Sequence, residues 1–182
     1  MKQNFVVLLI GIALGFSLAL TTQIYTSFFV PPVQVGVADV EPVFSPGNQD
    51  VIVNLVQSSH SSLELEVYTF SSTILRDELI AAHERGVDVK VILDSSISSN
   101  VPMAKALLAK GVQVMLSPKR FSLVHSKFLV IDKEVVFVGS NNWTFHSFNL
   151  NREASVKLRS SAVAARFLEV FYSDWNDGIP IH

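Results

Sequence analysis

The feature that most constrains the fold of this chain is an alternation of short apolar strands with helical segments of about a dozen residues. Three such strands are predicted at residues 63–70, 87–94 and 112–116. The first carries glutamates on one face, and predicted helices follow caps supplied by Ser71-Ser72-Thr73 and by Asn100. Connections of this kind indicate right-handed βαβ units and a parallel sheet.

From residue 127 the pattern changes to two apolar segments joined by a tight turn. The stretch "KFLVID-KE-VVFVGS" predicts an antiparallel hairpin, "EASVKLR" a further strand, and "AVAARFLEVFYSDW" a closing amphipathic helix. Upstream, residues 33–44 alternate as a strand, and Pro42 favours an edge position. The sequence therefore predicts an α/β fold with one mixed parallel and antiparallel sheet flanked by helices.

The first thirty residues form an apolar leader. No charged residue occurs between Lys2 and Asp39, and Pro31-Pro32 ends the apolar stretch. A cleaved signal peptide and an uncleaved membrane anchor both fit residues 1–30. We therefore expect one folded domain at residues 31–182 that is exported, to the periplasm or outside the cell, or anchored to a membrane through residues 5–30.

Composition excludes several classes of chemistry. The chain has no cysteine, which rules out disulfides, cysteine-zinc sites and thiol catalysis. Its formal net charge of −2 gives no overall basic field for binding nucleic acid, although a local cleft can still be basic. No convincing metal-ligand cluster is present, so we predict neither a metal nor another cofactor.

Polar residues are set into the predicted hairpin at intervals that bring them together. His125 and Lys127 alternate along one strand and so project to the same face. The return strand brings Ser140 and Asn142 back beside His125. Lysine supplies a positive charge and asparagine a neutral donor, and both suit phosphoryl oxygens. Histidine serves as nucleophile or proton carrier, so the pattern predicts a phosphate site.

These residues resemble the HxKxxxxD…GSxN signature of the phospholipase D superfamily. The complete match comprises His125, Lys127, Asp132, Gly139, Ser140 and Asn142. The resemblance extends over about residues 33–178 and is greatest to small members with one motif per chain, such as the bacterial endonuclease Nuc and the mitochondrial Zucchini-type proteins. It implies the phospholipase D-like fold.

The resemblance also implies a role for each matched residue. His125 would attack phosphorus to give a phosphohistidine, while Lys127 and Asn142 would hold the phosphoryl oxygens. Ser140 would support the phosphate pocket. Glu153 is similar to the downstream acidic residue that hydrogen-bonds the catalytic histidine. Asp132 is counted among the catalytic residues, although its place at the turn fits an organiser of the hairpin better than a proton carrier.

Because each chain carries a single motif, we expect two chains to form one active site. In-line displacement at phosphorus needs a nucleophile on one side and an acid on the other, and no second His-x-Lys occurs in the sequence. We therefore predict a metal-independent homodimer, with one active site on the two-fold axis and His125 of each protomer facing one phosphate.

The substrate class stays open at this point. Family resemblance favours a nuclease-like enzyme acting on DNA or RNA. The apolar leader and the aromatic Trp143, Phe145 and Phe148 favour phospholipids such as phosphatidylcholine or cardiolipin, although these rings would also fit the core. A third alternative is an inactive, membrane-tethered phosphate-binding module.

Overall fold

A computed structural model describes residues 39–181 of the chain. The predictions for the leader, residues 1–30, lie outside the described residues. In the described part the strands are β1 (Val40–Phe44), β2 (Ser62–Val67), β3 (Asp88–Leu93), β4 (Gln113–Leu116), β5 (Lys127–Ile131), β6 (Val135–Gly139), β7 (Ala154–Arg159) and β8 (Ile179–Pro180). The helices are α1 (Gln49–Gln57), α2 (Thr73–Glu84), α3 (Asn100–Leu108), α4 (Phe145–Asn149) and α5 (Ser161–Asn176).

One mixed sheet joins all these strands in the order β1-β7-β6-β5-β2-β3-β4-β8. Strands β2, β3 and β4 run parallel and are connected by α2 and α3, as the alternation predicts. β5 pairs antiparallel with β2, and β6, β7 and β1 continue the antiparallel half. Pro42 lies in the edge strand β1, where its missing N–H leaves no gap in an inner ladder. The predicted fold class is confirmed.

The sheet separates two apolar layers of different make-up. On one side Leu65 and Leu129 pack with α1, α2 and α3, and Trp143 and Phe148 complete this core. On the other side Phe128 and neighbouring strand residues pack only against α5. This second layer also contains the predicted glutamate face of β2. Glu64 and Glu66 are both buried there.

The hairpin between β5 and β6 closes in a tight turn. Asp132 and Lys133 both have positive φ, 51° and 59°, and the N–H of Glu134 donates to the carbonyl of Ile131. Positive φ at both central residues of such a turn matches the twist of the flanking strands, and three residues, 132–134, lie between the paired Ile131 and Val135. The predicted antiparallel hairpin is confirmed, with its register fixed by the pair Ile131 and Val135.

One of the two predicted helix caps is present. The Ser72 hydroxyl accepts from the Leu75 N–H at the start of α2. The prediction for Asn100 is wrong, because Asn100 is the first residue of α3 and its side chain is buried. Its amide donates to the carbonyls of Tyr68 and Asp94 and accepts from the Phe70 N–H. Asn100 thus ties together the chain segments that leave β2 and β3. Between residues 39 and 181 no helix has the length and apolarity needed to cross a bilayer.

Candidate active site

The strand register brings the predicted site residues to one edge of the sheet. Lys127 at the start of β5 pairs with Val67 at the end of β2. Across β6 and β7, Gly139 pairs with Ser155, and Ala154 pairs with Phe44 of β1. Adjacent strands lie about 4.8 Å apart, so side chains just beyond these ends share one small region. Ligands of open α/β sheets bind at the carboxyl ends of the parallel strands, which is this edge.

His125 and Lys127 lie together on the ring of Tyr68. The imidazole of His125 is exposed, and its centre is 4.5 Å from that of the Tyr68 ring. The Lys127 ammonium is 5.1 Å from the same ring centre and donates to the His125 carbonyl at 2.7 Å. Tyr68 thus positions both motif side chains, and it follows directly after β2.

Lys127 is the buried cation of this edge, with only 7% of its surface exposed. Burial lowers the pKa of its ammonium, and the negative charge of Glu153 partly offsets this effect. The charge of Glu153 therefore acts on the Lys127 ammonium. A poorly solvated ammonium gains more from an anionic phosphate than a solvated one does.

Glu153 makes contacts that differ from the expected one. Its carboxylate accepts from Ser140 Oγ at 2.5 Å, from Asn151 Nδ2 at 3.1 Å and from Ser147 Oγ at 3.3 Å. Among the described residues these are its side-chain hydrogen bonds, and none comes from His125. Glu153 therefore braces Ser140 of the motif, with its own N–H held by Ser45 Oγ at 2.7 Å.

Asn142 is partly buried at the same edge, and its Oδ1 is a buried oxygen that has no hydrogen-bond partner within residues 39–181. The preceding Asn141 is buried and held by Ser155 Oγ at 2.6 Å. Asn141 is thus held in place, while the side-chain oxygen of Asn142 has no hydrogen-bond donor among the described residues. Such an oxygen is costly to bury without a donor, whereas the NH₂ group of the same amide is the part that would donate to a phosphoryl oxygen.

Gly139 is required by the close approach of β7. A Cβ at this position would collide with the Ala154 carbonyl oxygen and with Ser155. This glycine therefore admits a close backbone. The approach lets the Ser140 N–H donate to the Ala154 carbonyl at 3.0 Å, which sets Ser140 beside Glu153.

Asp132 is the one predicted catalytic residue that the structure separates from the others. It follows the far end of β5, about 20 Å along the strand from His125. Its carboxylate accepts from the backbone N–H groups of His60, Ser61 and Ser62. Burial alone would raise the pKa of Asp132, but these hydrogen bonds together lower it below its ordinary value. This geometry fits the organising role. It leaves Asp132 without contact to the phosphate edge, the name used below for the end of the sheet that carries His125, Lys127, Ser140, Asn142 and Glu153.

An open groove of about 550 Å³ reaches the site on the α5 side of the sheet. His125, Ser126 and Lys127 line one end of it. Its walls are largely apolar and include Phe121, Leu123, Val138, Phe167 and Val170. Besides Lys127 at that end, the charged groups along it are Arg166, Asp174 and the buried Glu66.

Several supporting residues were not predicted. Tyr68 follows β2, Asp94 follows β3 and Ser45 follows β1, and all three bind segments of the site edge. Asp94 accepts from the Val124 N–H and so holds the loop before the motif. A polar residue directly after a strand is the signal that would have found them. No group of three His, Asp or Glu side chains within residues 39–181 is arranged to hold a metal ion.

Comparison with known proteins assigns the family. Residues 52–175 match the family described as "Cardiolipin synthase, PLD-like domain". The chain is 33% identical over 130 residues to the mitochondrial cardiolipin hydrolase of Mus musculus, covering 71% of this chain and 58% of that protein. It is 26% identical over 187 residues to a phospholipase D of Rickettsia bellii, covering 94% and 92%.

A solved structure of similar fold agrees with this assignment. Nuc from Salmonella typhimurium, a phospholipase D family member, superimposes with a TM-score of 0.71 at 26% identity, covering 76% of this chain and 95% of Nuc. The fold and the phosphate edge define a phospholipase D-like α/β domain. The chain belongs to the PLD-like domain family within the phospholipase D superfamily. It spans less than three fifths of the length of the mouse relative.

Proposed function

We propose that this protein hydrolyses phosphodiesters through a covalent phosphohistidine. The arrangement that supports it most directly is His125, exposed beside the buried ammonium of Lys127 on one tyrosine ring. The imidazole is free to reach a phosphate that Lys127 and Asn142 hold by its nonbridging oxygens. Ser140 and Glu153 position this pocket, and Asp132 acts only by fixing the hairpin to the start of β2.

The proposed reaction takes place in a homodimer with one site on its two-fold axis. A ring nitrogen of His125 forms a bond to phosphorus, and the bond from phosphorus to the leaving alcohol breaks. His125 of the partner subunit donates the proton that the leaving oxygen takes up. Water then attacks phosphorus, the same partner imidazole accepts its proton, and cleavage of the phosphorus–nitrogen bond releases the phosphomonoester.

The substrate class that the geometry favours is an amphiphilic phosphodiester of the phospholipid kind. The groove that begins at His125 has apolar walls, and the exposed rings and chains of Phe121, Leu123 and Val170 border it. Hydrocarbon gains from leaving water for such a surface, whereas a nucleic-acid strand needs cations for its further phosphates. Beyond Lys127, which the reacting phosphate itself would occupy, Arg166 is the one cation among the described residues that line the groove, and the carboxyl groups of Glu66 and Asp174 oppose a polyanion. Placement at a membrane through residues 5–30 would suit this substrate.

Nucleic acid is the second candidate, and the likeness to Nuc favours it. An experiment separates the two. Full-length protein in mild detergent and EDTA is incubated with cardiolipin vesicles, phosphatidylcholine vesicles, plasmid DNA, single-stranded RNA and the chromogenic diester bis(p-nitrophenyl) phosphate. His125→Asn should abolish every activity, and His60→Asn, an exposed histidine at the far end of the sheet, serves as matched control.

A second pair of variants tests the groove. Val170→Glu places a charge on its wall, while Ile74→Glu changes an equally exposed apolar residue on α2. We expect Val170→Glu to depress lipid hydrolysis and to spare bis(p-nitrophenyl) phosphate, with Ile74→Glu unchanged on both. Cleavage of DNA or RNA without lipid would favour nucleic acid instead. Binding without cleavage of any diester would favour the inactive module.

A further inference from the structure

The strand segment that carries the proposed nucleophile is anchored from its other face. His125 and Lys127 project to one side of the chain, and Ser126 between them projects to the other. There the Ser126 hydroxyl donates to a carboxyl oxygen of Glu66 on β2. The backbone carbonyl of Ser126 accepts from the Tyr68 N–H at 3.1 Å, so both contacts lie at the end of β2.

Glu66 is an unusual partner for this serine because it is almost fully buried. Only 2% of its surface is exposed, and its register partners on β5 and β3 are the apolar Phe128 and Ile92. Its second carboxyl oxygen is buried and has no hydrogen-bond partner within the described residues. An ionised carboxylate in this position would be costly, since burial without a full set of donors disfavours charge.

We infer that Glu66 is a positioning residue of the catalytic segment, which supports phosphate binding and attack by His125 while it is neutral and opposes both when it loses its proton. This inference rests on the proposed function. In the neutral state the carboxyl group holds Ser126 and adds no charge beneath the phosphate edge. In the ionised state its negative charge repels the anionic diester, which opposes both binding and attack.

The surroundings of Glu66 place the loss of its proton near neutral pH. Burial raises the pKa of Glu66 to about 7, the hydrogen bond from Ser126 acts against this shift, and the charge of Asp174 adds to it. From α5, Arg166 and Asp174 line the same groove, and Asp174 is paired with Arg120. His125 and Lys127 are the charged groups on the β5 side, and Glu64, bonded to Tyr172, is the next carboxyl along β2.

The sign of the effect is fixed by these contacts. Below pH 7 Glu66 is mostly neutral, and the site is competent. Above pH 7 a buried negative charge lies under the phosphate pocket, so kcat/KM should fall with an apparent pKa near that of Glu66. One negative charge near a partly buried anion site changes the affinity of that site for an anion by roughly tenfold.

The test compares pH profiles of kcat/KM on bis(p-nitrophenyl) phosphate, whose charge is constant over the range used. Glu66→Gln keeps the shape and a hydrogen-bonding oxygen but cannot ionise. We expect it to stay within about threefold of wild type at pH 6 and to exceed wild type about tenfold at pH 8.5. Glu64→Gln is the matched control, a buried carboxyl on the same face, and should keep the wild-type profile.

Two results would overturn the inference. In one, the profiles of Glu66→Gln and wild type coincide; in the other, Glu66→Gln is weakened equally at every pH, as a purely structural role predicts. A measurement without turnover keeps the test independent of the proposed function. Binding of bis(p-nitrophenyl) phosphate by His125→Asn should weaken about tenfold from pH 6 to 8.5, and should not weaken in His125→Asn/Glu66→Gln. Wild-type protein that cleaves no diester would refute the proposed function, while this comparison would still decide the role of Glu66.

Discussion

Replacing Asp132 by asparagine distinguishes a structural from a catalytic role for this motif carboxylate. Asparagine tolerates the positive φ that the hairpin turn imposes, so the turn itself is conserved. What changes is the acceptor group. Asp132 Oδ1 accepts from Ser61 N at 2.7 Å and Ser62 N at 3.0 Å, and Oδ2 from His60 N at 3.0 Å. An amide keeps one acceptor and turns an NH₂ group toward the His60 N–H.

The expected loss follows from these contacts. A hydrogen bond to a charged group contributes about 1.5–3 kcal/mol, but water reaches this half-exposed corner and replaces part of each bond. We expect a fall of about 1–2 kcal/mol in the free energy of unfolding at pH 7. The change lies about 20 Å from His125, beyond the screening length at physiological salt, so kcat/KM should stay within about twofold of wild type.

The pH dependence has a definite direction. The hydrogen bonds hold the pKa of Asp132 below its ordinary value in the folded state. Its contribution to stability is therefore present above the unfolded pKa of about 4 and is lost as the pH falls through the lower folded value. The difference between wild type and Asp132→Asn should be largest near neutral pH and shrink below about pH 4.

Urea unfolding followed by tryptophan fluorescence, beside steady-state hydrolysis of bis(p-nitrophenyl) phosphate, measures both quantities. Lys133→Asn is the matched control, because it changes the other turn residue of positive φ without touching the carboxylate contacts. A large loss of turnover in Asp132→Asn with unchanged stability would refute the structural role and return Asp132 to the catalytic residues.

The remaining predictions concern the phosphate edge. Equal amounts of wild type and His125→Asn are mixed and allowed to exchange subunits. The mixture should have about one quarter of the activity of the same total amount of wild type if one site needs both histidines, and about one half if the sites are independent. Gly139→Ala forces a methyl group against Ala154 and should lower the free energy of unfolding by about 2 kcal/mol in urea; an unchanged value would contradict this packing. Burial lowers the pKa of Lys127, and the Glu153 carboxylate offsets this. Loss of the Lys127 proton should cause a fall of kcat/KM separate from that of Glu66, and Glu153→Gln should move this fall to lower pH. A fall that stays at the same pH would show that the charge of Glu153 does not act on Lys127.

Local patterns of the sequence are sufficient to predict the sheet and the motif edge. Alternation along β5 and β6 determines which side chains share a face, and the tight turn fixes their register, so His125, Lys127 and Gly139 come to one edge as expected. These relations depend on residues a few positions apart. The same is true of the Ser72 cap.

Contacts between distant segments could not be predicted in the same way. The sequence shows that Glu64 and Glu66 share a face of β2, but not that α5 covers that face and buries them. The sequence predicts that Asn100 caps a helix, but Asn100 is the first residue of α3, and its amide donates to the carbonyls of Tyr68 and Asp94 at the ends of β2 and β3. Likewise, the side-chain conformation of Glu153 directs its carboxylate to Ser140, a choice that spacing along the chain does not determine.

The pairing of β1 with β7 has a consequence for biosynthesis. β1 is the first described strand to leave the ribosome, and β7 is made only after five other strands of the sheet. Until then the edges of β1 and β6 are both unpaired, and unpaired edges invite association with other chains. The contact of Ser45 with Glu153 forms with this pairing. A nascent chain therefore carries an open site, and it gains its diester pocket only when nearly all of the domain has been translated.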